Sequence, residues 1–570
     1  MPTFHRPPCP KARRLGVLIG LASTALASAW AQAPPDAGRL LEETRPPARP
    51  ALPPATAPRV VDVPVRPTIT LPEGVTVQAG SFRVTGASSF PADFLVGLLQ
   101  PWVGKRLDIN GLNEAAGALT RHYQNNGHLL TYAYIPAQRV ADGVVEIAVL
   151  EGRLEGVQIV TAQDVRLRDE VVQAHTDRLV TDGASPRPVL QDEVERQMLL
   201  LNDLPGVTAR AAFTPGSTTG GAEMVVSVAE DDPLALRLEL NNHGSRSTGE
   251  YRAGIGLQLR DLFGWGDNTF ARALVSNKGG LVSGSLASSV AAGGDGFRLG
   301  FSLSRLTYQL AGNFRALGAV GNANTFGVDM SYPFMRTADT NLSVRVGAES
   351  KRLRDDIQLV ASTNPKRNNT IDVTVSADHR DTWGGVSAGS VVASMGSLRL
   401  LDDGQRAADA AGLFTGRRYG KLGLQFARQQ SLGGPFSLYL RAGGQYSGGN
   451  LDSSEKFALA GPAAVRAYAP GEASVDHGGL LTVEARYAAD YLGGSLVWGL
   501  FHDRAEGRIN RRPLVAAGND PKLSGTGLSV QWIGSDVGVN ASVAWRGSRL
   551  PTAEGGDPKP RFYLQVVVTP

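Results

Sequence analysis

The chain has 570 residues, with 57 Lys and Arg against 53 Asp and Glu, for a net charge of +4. So small an imbalance, with no Lys/Arg stripe, leaves no nucleic-acid footprint. The single cysteine, Cys9, sits in the leader, so no disulfide or thiolate metal site is available downstream, and the scattered histidines form no metal-spaced cluster.

Residues 1–31 form a signal peptide. Lys11, Arg13 and Arg14 precede an apolar run over 15–29, and Ala29-Trp30-Ala31 supplies a small-x-small cleavage site. The run is shorter than the roughly 20 residues a helix needs to span a bilayer. Within 32–45, Asp36 follows two prolines and can cap a short helix over 36–43. Residues 46–74 are proline-rich, an extended tether at roughly 3 Å per residue. A short helix on a long tether suggests a removable element, a plug for a barrel; a tail without a role is the other reading.

Two α+β units follow, at 75–151 and 152–231. The first has a strand at 81–84, helices at 90–99 and 112–124, and strands at 129–136 and 144–150. The second has a strand at 156–160, helices at 169–176 and 190–201, and strands at 208–213 and 223–228. Matching elements are offset by about 78 residues, the size of one small module.

From 232 to 570 helical periodicity gives way to alternation. Leu299, Phe301 and Leu303 oppose Arg298, Gly300 and Ser302; Val537, Val539 and Ala541 oppose Gly538, Asn540 and Ser542. One apolar face on strand after strand fits a closed membrane barrel of about sixteen antiparallel strands. The connections alternate too. Short ones at 264–266, 293–295, 433–435, 493–494 and 534–536 belong to the periplasmic side. Long ones at 307–322, 353–366, 402–416, 449–478 and 506–522 belong outside. Arg345, Glu349, Arg441, Glu484, Arg486 and Asp503 then face the lumen.

The loop at 449–478 carries Val465-Arg466-Ala467-Tyr468, and a later strand carries Phe501-His502-Asp503-Arg504-Ala505. A carboxylate offers a buried guanidinium its planar, doubly accepting partner, so Arg466 is expected to reach Asp503 inside the barrel.

The order of elements in the two units resembles polypeptide-transport-associated (POTRA) domains. With the barrel and both motifs, the whole mature chain resembles the outer-membrane transporters of two-partner secretion, the TpsB family of haemolysin and filamentous-haemagglutinin transporters. In that family the motifs read V-R-G-Y and F-x-D-x-G; here Ala467 and Ala505 replace the glycines. The resemblance implies an outer-membrane pore with periplasmic POTRA domains that capture an unfolded exoprotein through its N-terminal secretion domain. It implies an Arg466–Asp503 latch within the site Val465, Arg466, Ala467, Tyr468, Phe501, Asp503 and Ala505. It also implies outer-membrane lipid around the barrel, and barrel-assembly machinery and periplasmic chaperones during biogenesis. No cofactor, metal or catalytic residue is expected. An outer-membrane insertase and a passive channel are the alternatives. Loss of export of one protein on deleting 81–230, rather than loss of many barrels, separates transporter from insertase.

Overall fold

The computed structural model describes residues 34–45, 52, 61–62, 76–180, 188–548 and 559–570. The leader and nearly all of the proline-rich segment lie outside them. Helix α1 (Ala37–Thr44) begins where the Asp36 carboxylate accepts from the Arg39 amide at 2.9 Å. A two-residue strand, β1 (Val61–Asp62), follows.

The first α+β unit comprises β2 (Val77–Ala79), β3 (Ser81–Thr85), α2 (Ala92–Leu98), β4 (Lys105–Leu107), α3 (Ile109–Asn125), β5 (Tyr132–Tyr134) and β6 (Val144–Leu150). The second comprises β7 (Arg153–Thr161), α4 (Asp169–Thr176), α5 (Gln191–Asn202), β8 (Val207–Pro215) and β9 (Gly221–Glu230). In the first, β6 runs parallel to β3 and antiparallel to β5; in the second, β9 runs parallel to β7 and antiparallel to β8. The two units share one wiring. Three pieces escape the alternation rule because they span two or three residues: the β2–β4 pair, and β1, which joins β8 in parallel.

The strand expected at 129–136 shrinks to β5 for a physical reason. Leu129 and Leu130 leave the first unit and bury in the core of the second. The Leu129 amide donates to the Val189 carbonyl at 3.1 Å, and the Gln191 amide to that of Gly127 at 2.7 Å. Beside this seam sits Glu151, buried, accepting from the amides of Ser88 (2.9 Å) and Ser89 (2.8 Å), the Ser88 hydroxyl and the Tyr123 hydroxyl (2.9 Å). Burial pushes its pKa up, but these donors outweigh burial and hold it below the usual carboxylate value.

Sixteen antiparallel strands then close a barrel. They are β10 (Leu234–Asn241), β11 (Arg252–Arg260), β12 (Asn268–Ser276), β13 (Leu281–Ala291), β14 (Arg298–Gln309), β15 (Ala319–Arg336), β16 (Thr340–Ile357), β17 (Ser362–Arg380), β18 (Gly385–Leu400), β19 (Arg418–Gly433), β20 (Phe436–Ser447), β23 (His477–Tyr491), β24 (Gly494–Arg508), β25 (Lys522–Ile533), β26 (Val537–Arg546) and β27 (Arg561–Val568). The first and last strands close the ring through Leu238–Asn241 and Gln565–Val568. Leu299, Phe301 and Leu303 lie exposed on the outer wall, as a lipid face requires.

Two of the expected long outer connections are corrected. The connection expected at 307–322 shrinks to 310–318, around a 3-10 turn at Gly312–Leu317, and that at 353–366 shrinks to 358–361, because strand takes the rest: β15 and β16 have 18 residues each and β17 has 19, against the roughly ten that cross a bilayer. Beyond the lipid the inward positions are small or polar, such as Ala319, Gly321, Ala323 and Thr325. Apolar alternation fades there although the strand continues. The connection at 402–416 also holds a helix, α6 (Asp403–Ala411).

The second α+β unit is fastened to the periplasmic turns. Arg336 forms a fork on Asp203 (2.8 and 2.7 Å), Arg196 donates to the Pro333 carbonyl (2.7 Å), and the Arg168 guanidinium stacks 4.5 Å from the Trp265 ring centroid. In the turn after β11, Asp261 is buried against Glu230; burial and that second carboxylate push its pKa up to about 6.

Candidate functional site in the barrel lumen

The connection between β20 and β23, residues 448–476, folds back into the barrel. Two short strands within it, β21 (Phe457–Ala458) and β22 (Ser474–Val475), pair antiparallel and pinch its base. Above the pinch the Leu459 amide donates to the Ala473 carbonyl (2.9 Å) and the Val465 amide to that of Leu459 (3.1 Å). Gly461 makes the turn at φ 117°, where a side chain is strained. Leu459, Val465, Ala467 and Tyr468 are all buried, and they pack on Phe501, Ala505, Leu523 and Ala544 of the wall. That apolar face holds the segment inside against the cost of ordering it.

The structure brings Arg466 and Asp503 together. Asp503 has no exposed side-chain surface, and that of Arg466 is 14% exposed. Nε of Arg466 donates to Oδ2 of Asp503 at 2.9 Å and Nη2 donates to Oδ1 at 3.0 Å, a two-pronged pair. The Arg466 amide donates to the same Oδ2 at 3.1 Å, and the Thr482 hydroxyl to Oδ1 at 2.9 Å. The guanidinium carbon lies 3.2 Å from the Phe501 ring centroid, a cation–π stack. Alternation on β24 places Phe501, Asp503 and Ala505 on the inner face together, and all three are buried.

A second carboxylate shares the arginine. Glu484 Oε2 accepts from Arg466 Nη1 at 3.0 Å, and its Oε1 accepts from Arg486 Nε at 3.0 Å and the Ser529 hydroxyl at 3.1 Å. Sequence reasoning placed Glu484 among the lumen ions but outside the latch; its i, i+2 relation to Thr482 on β23 was the signal that could have found it. Neighbouring groups of this inward-folded loop, the lid, are held as well. Arg546 Nε donates to the Ala467 carbonyl (2.9 Å), the Tyr468 hydroxyl donates to the Ser548 carbonyl (2.8 Å), and the Tyr563 hydroxyl donates to the Tyr468 carbonyl (2.7 Å). Ala467 has no left-handed φ, so alanine in place of glycine costs the backbone nothing.

Glu455 gives the loop another anchor, one the sequence did not announce. It is buried, with Lys351 Nζ at 2.7 Å, Asn368 Nδ2 at 2.7 Å and Lys421 Nζ at 2.8 Å. Burial works against its ionisation, but the two lysines outweigh burial and hold the carboxylate at about 2.

Helix α1 also lies in the lumen. Its Leu40 and Leu41 pack on Leu274, Leu281, Leu306 and Leu353 of the wall. Asp36 accepts from the Ser453 hydroxyl (2.6 Å) and pairs with Lys366 (3.3 Å), the Ala37 amide donates to Asp355 (2.7 Å), and Arg45 pairs with Glu349. Lid, helix and charged wall together narrow the space that sixteen strands would otherwise leave open, and the cavity of about 800 Å³ left between them is lined by all three, among them Arg39, Arg466 and Glu484.

Comparison with known proteins agrees with this architecture. The family described as haemolysin secretion/activation protein ShlB/FhaC/HecB matches residues 220–493, and the ShlB-type POTRA domain matches residues 78–152. The chain is 27% identical over 483 residues to the heme/hemopexin transporter protein HuxB of Haemophilus influenzae strain 86-028NP, covering 84% of each. It is 24% identical over 476 residues to the outer membrane transporter CdiB of Escherichia coli, covering 80% of this chain and 75% of that one. The solved CdiB from Escherichia coli superposes with a TM-score of 0.68 at 19% identity, over 89% of this chain and 92% of that one, a likeness of fold. The insertase and passive-channel alternatives give way here, because the matched family is one of secretion proteins. The chain belongs to the ShlB/FhaC/HecB haemolysin secretion/activation proteins, the outer-membrane two-partner-secretion transporters that pass a partner exoprotein to the cell surface.

Proposed function

We propose that the chain exports an exoprotein bearing an N-terminal secretion domain through a lumen closed at rest by the lid and the N-terminal helix. The periplasmic units capture the unfolded partner by adding one of its strands to a sheet edge, where main-chain hydrogen bonds give affinity without demanding a sequence. Folding of the partner outside the cell supplies the drive, so no catalytic step, cofactor or metal enters. Signal peptide 1–31, tether 46–74 and the two units at 75–151 and 152–231 take the roles of address, leash and periplasmic receptor. Assembly draws on periplasmic chaperones and the barrel-assembly machinery.

The observation that carries this reading is the two-pronged Arg466–Asp503 pair, buried in the lumen and backed by Phe501. Val465, Ala467, Tyr468 and Ala505 seat the segment on either side of it. The pair latches the lid. The test is Arg466→Ala in cells that also express the partner exoprotein: the variant is expected to reach the outer membrane as a heat-modifiable barrel and to secrete poorly. Secretion at the wild-type level would end the latch proposal.

A further inference from the structure

One row of wall residues receives the lid. In the strand register Thr482 faces Asp503, Asp503 faces Gly525, and Gly525 faces Arg546. Successive lid residues meet successive members of that row. Arg466 grips Asp503, and Arg546 holds the Ala467 carbonyl while its guanidinium carbon lies 4.6 Å from the Tyr468 ring centroid. Between these two contacts stands Gly525, the row's one member without a side chain.

Backbone conformation does not explain that glycine, for Gly525 has no left-handed φ. Space does. A Cβ built on Gly525 would lie 2.6 Å from the Cβ of Ala467, well inside van der Waals contact, and Ala467 is fully buried with nowhere to retreat. We propose that Gly525 is a positioning residue for the lid: a notch that takes the Ala467 methyl and so sets the depth at which Arg466 meets Asp503. The proposal rests on the lid reading above. It also accounts for alanine at a position where the resembled motif carries glycine: the room the lid has given up is supplied by the wall opposite.

Trypsin cleavage after Arg466, followed by mass spectrometry on the full chain in outer-membrane vesicles, tests this. Cleavage there needs the lid to lift. Gly525→Ala is expected to raise the rate at least about fivefold, the lower end of what overpacking costs, while the closed barrel still migrates as heat-modifiable. Ala467→Gly in the same chain is expected to restore protection, because it removes the colliding methyl and nothing else. Gly284→Ala on β13, where no atom lies within 4 Å of the new Cβ, is expected to leave cleavage unchanged. Unchanged cleavage in Gly525→Ala, no rescue by Ala467→Gly, or an equal rise in Gly284→Ala would each overturn the notch. If Gly525→Ala fails to close its barrel, the double variant must restore closure, and failure to do so overturns it equally. Secretion is not read in this assay, so a failed latch and a failed notch are told apart.

Discussion

The two wall carboxylates that hold Arg466 are unequal, and removing each in turn measures by how much. Asp503→Ala deletes both prongs on the guanidinium, the bond from the Arg466 amide and the bond from Thr482, and the carboxylate that accepts all four has no exposed surface. Breaking a buried pair by removing one partner costs roughly 3–5 kcal/mol. Arg466 keeps Glu484 and the Phe501 ring, so the lower end, about 3 kcal/mol, is expected. Glu484→Ala deletes one bond to Arg466 and the bonds from Arg486 and the Ser529 hydroxyl, and Arg486 reaches lumen water. One charge-assisted bond is worth about 1.5–3 kcal/mol, and solvent around Arg486 trims the loss. Trypsin cleavage at position 466 reads the open fraction of the lid. It is expected to rise on the order of a hundredfold in Asp503→Ala and about tenfold in Glu484→Ala. Arg466→Lys keeps a cleavable cation but loses the fork; combined with Asp503→Ala it is expected to add almost nothing, since both remove one interaction. Equal opening in the two carboxylate variants, or additive effects of Arg466→Lys and Asp503→Ala, would refute the assignment of the fork as the main fastening.

Three further outcomes are expected. Leu40→Asp sets a carboxylate against Leu274, Leu306 and Leu353, a burial worth several kcal/mol against the docked helix; single-channel conductance in planar bilayers should rise, and wild-type conductance would show that α1 does not obstruct the pore. Glu151→Ala leaves the donors on Ser88, Ser89 and Tyr123 without their acceptor; roughly 2–4 kcal/mol of stability in the paired periplasmic units is at stake, read as earlier protease cutting between them on heating. The third outcome concerns pH. Asp261 has a folded pKa raised from 3.8 to about 6, so the folded state binds its proton more tightly. The junction with the barrel therefore loses stability as pH rises through that window, and the penalty is complete above it. Asp261→Asn keeps an acceptor for the Gly266 amide and tolerates φ 44°, so it should raise the melting temperature at pH 8 and change it little at pH 4, with a gain of about 1–3 kcal/mol; an equal shift at both values would count against this account.

What the chain reveals in one dimension follows from how local each cause is. The barrel is legible because lipid imposes its rule on every strand: the outer residue must be apolar whatever its neighbour does. That is why Leu299, Phe301 and Leu303 can be read without a structure, and why the reading fails past the bilayer, where Ala319 to Thr325 obey pairing but no longer hydropathy. The Arg466–Asp503 contact was reachable because 461–479 carries a single arginine, and the two motifs of the resembled family single out that arginine and the strand aspartate among many lumen charges. Glu455 was not reachable. A glutamate after Asp452-Ser453-Ser454 looks like a solvated loop residue, and the lysines that bury its charge stand 104 and 34 positions away. Gly525 was invisible for the opposite reason: it acts through an atom it lacks, and only the opposing Ala467 shows what that absence is for.

The same long-range fastenings bind lid and helix into one closure. Asp36 of the helix cap and Asp452 of the loop share Lys366 on the wall, at 3.3 and 2.8 Å. Gly38 lies so close to the loop that a Cβ there would sit 2.7 Å from the Ser453 hydroxyl and 2.8 Å from the Ser454 amide nitrogen. If the helix withdraws, the lysine keeps Asp452 but loses half its neutralisation, and Ser453 loses its acceptor. If the loop swings out first, the helix loses the surface covering Gly38 and the Ser453 hydroxyl that its cap accepts. Each departure weakens the other's hold, so the two contributions are not independent. A variant that frees one element, Leu40→Asp for the helix or Asp503→Ala for the lid, should therefore raise protease access at the other. Opening confined to the altered element would mean that the shared lysine couples nothing.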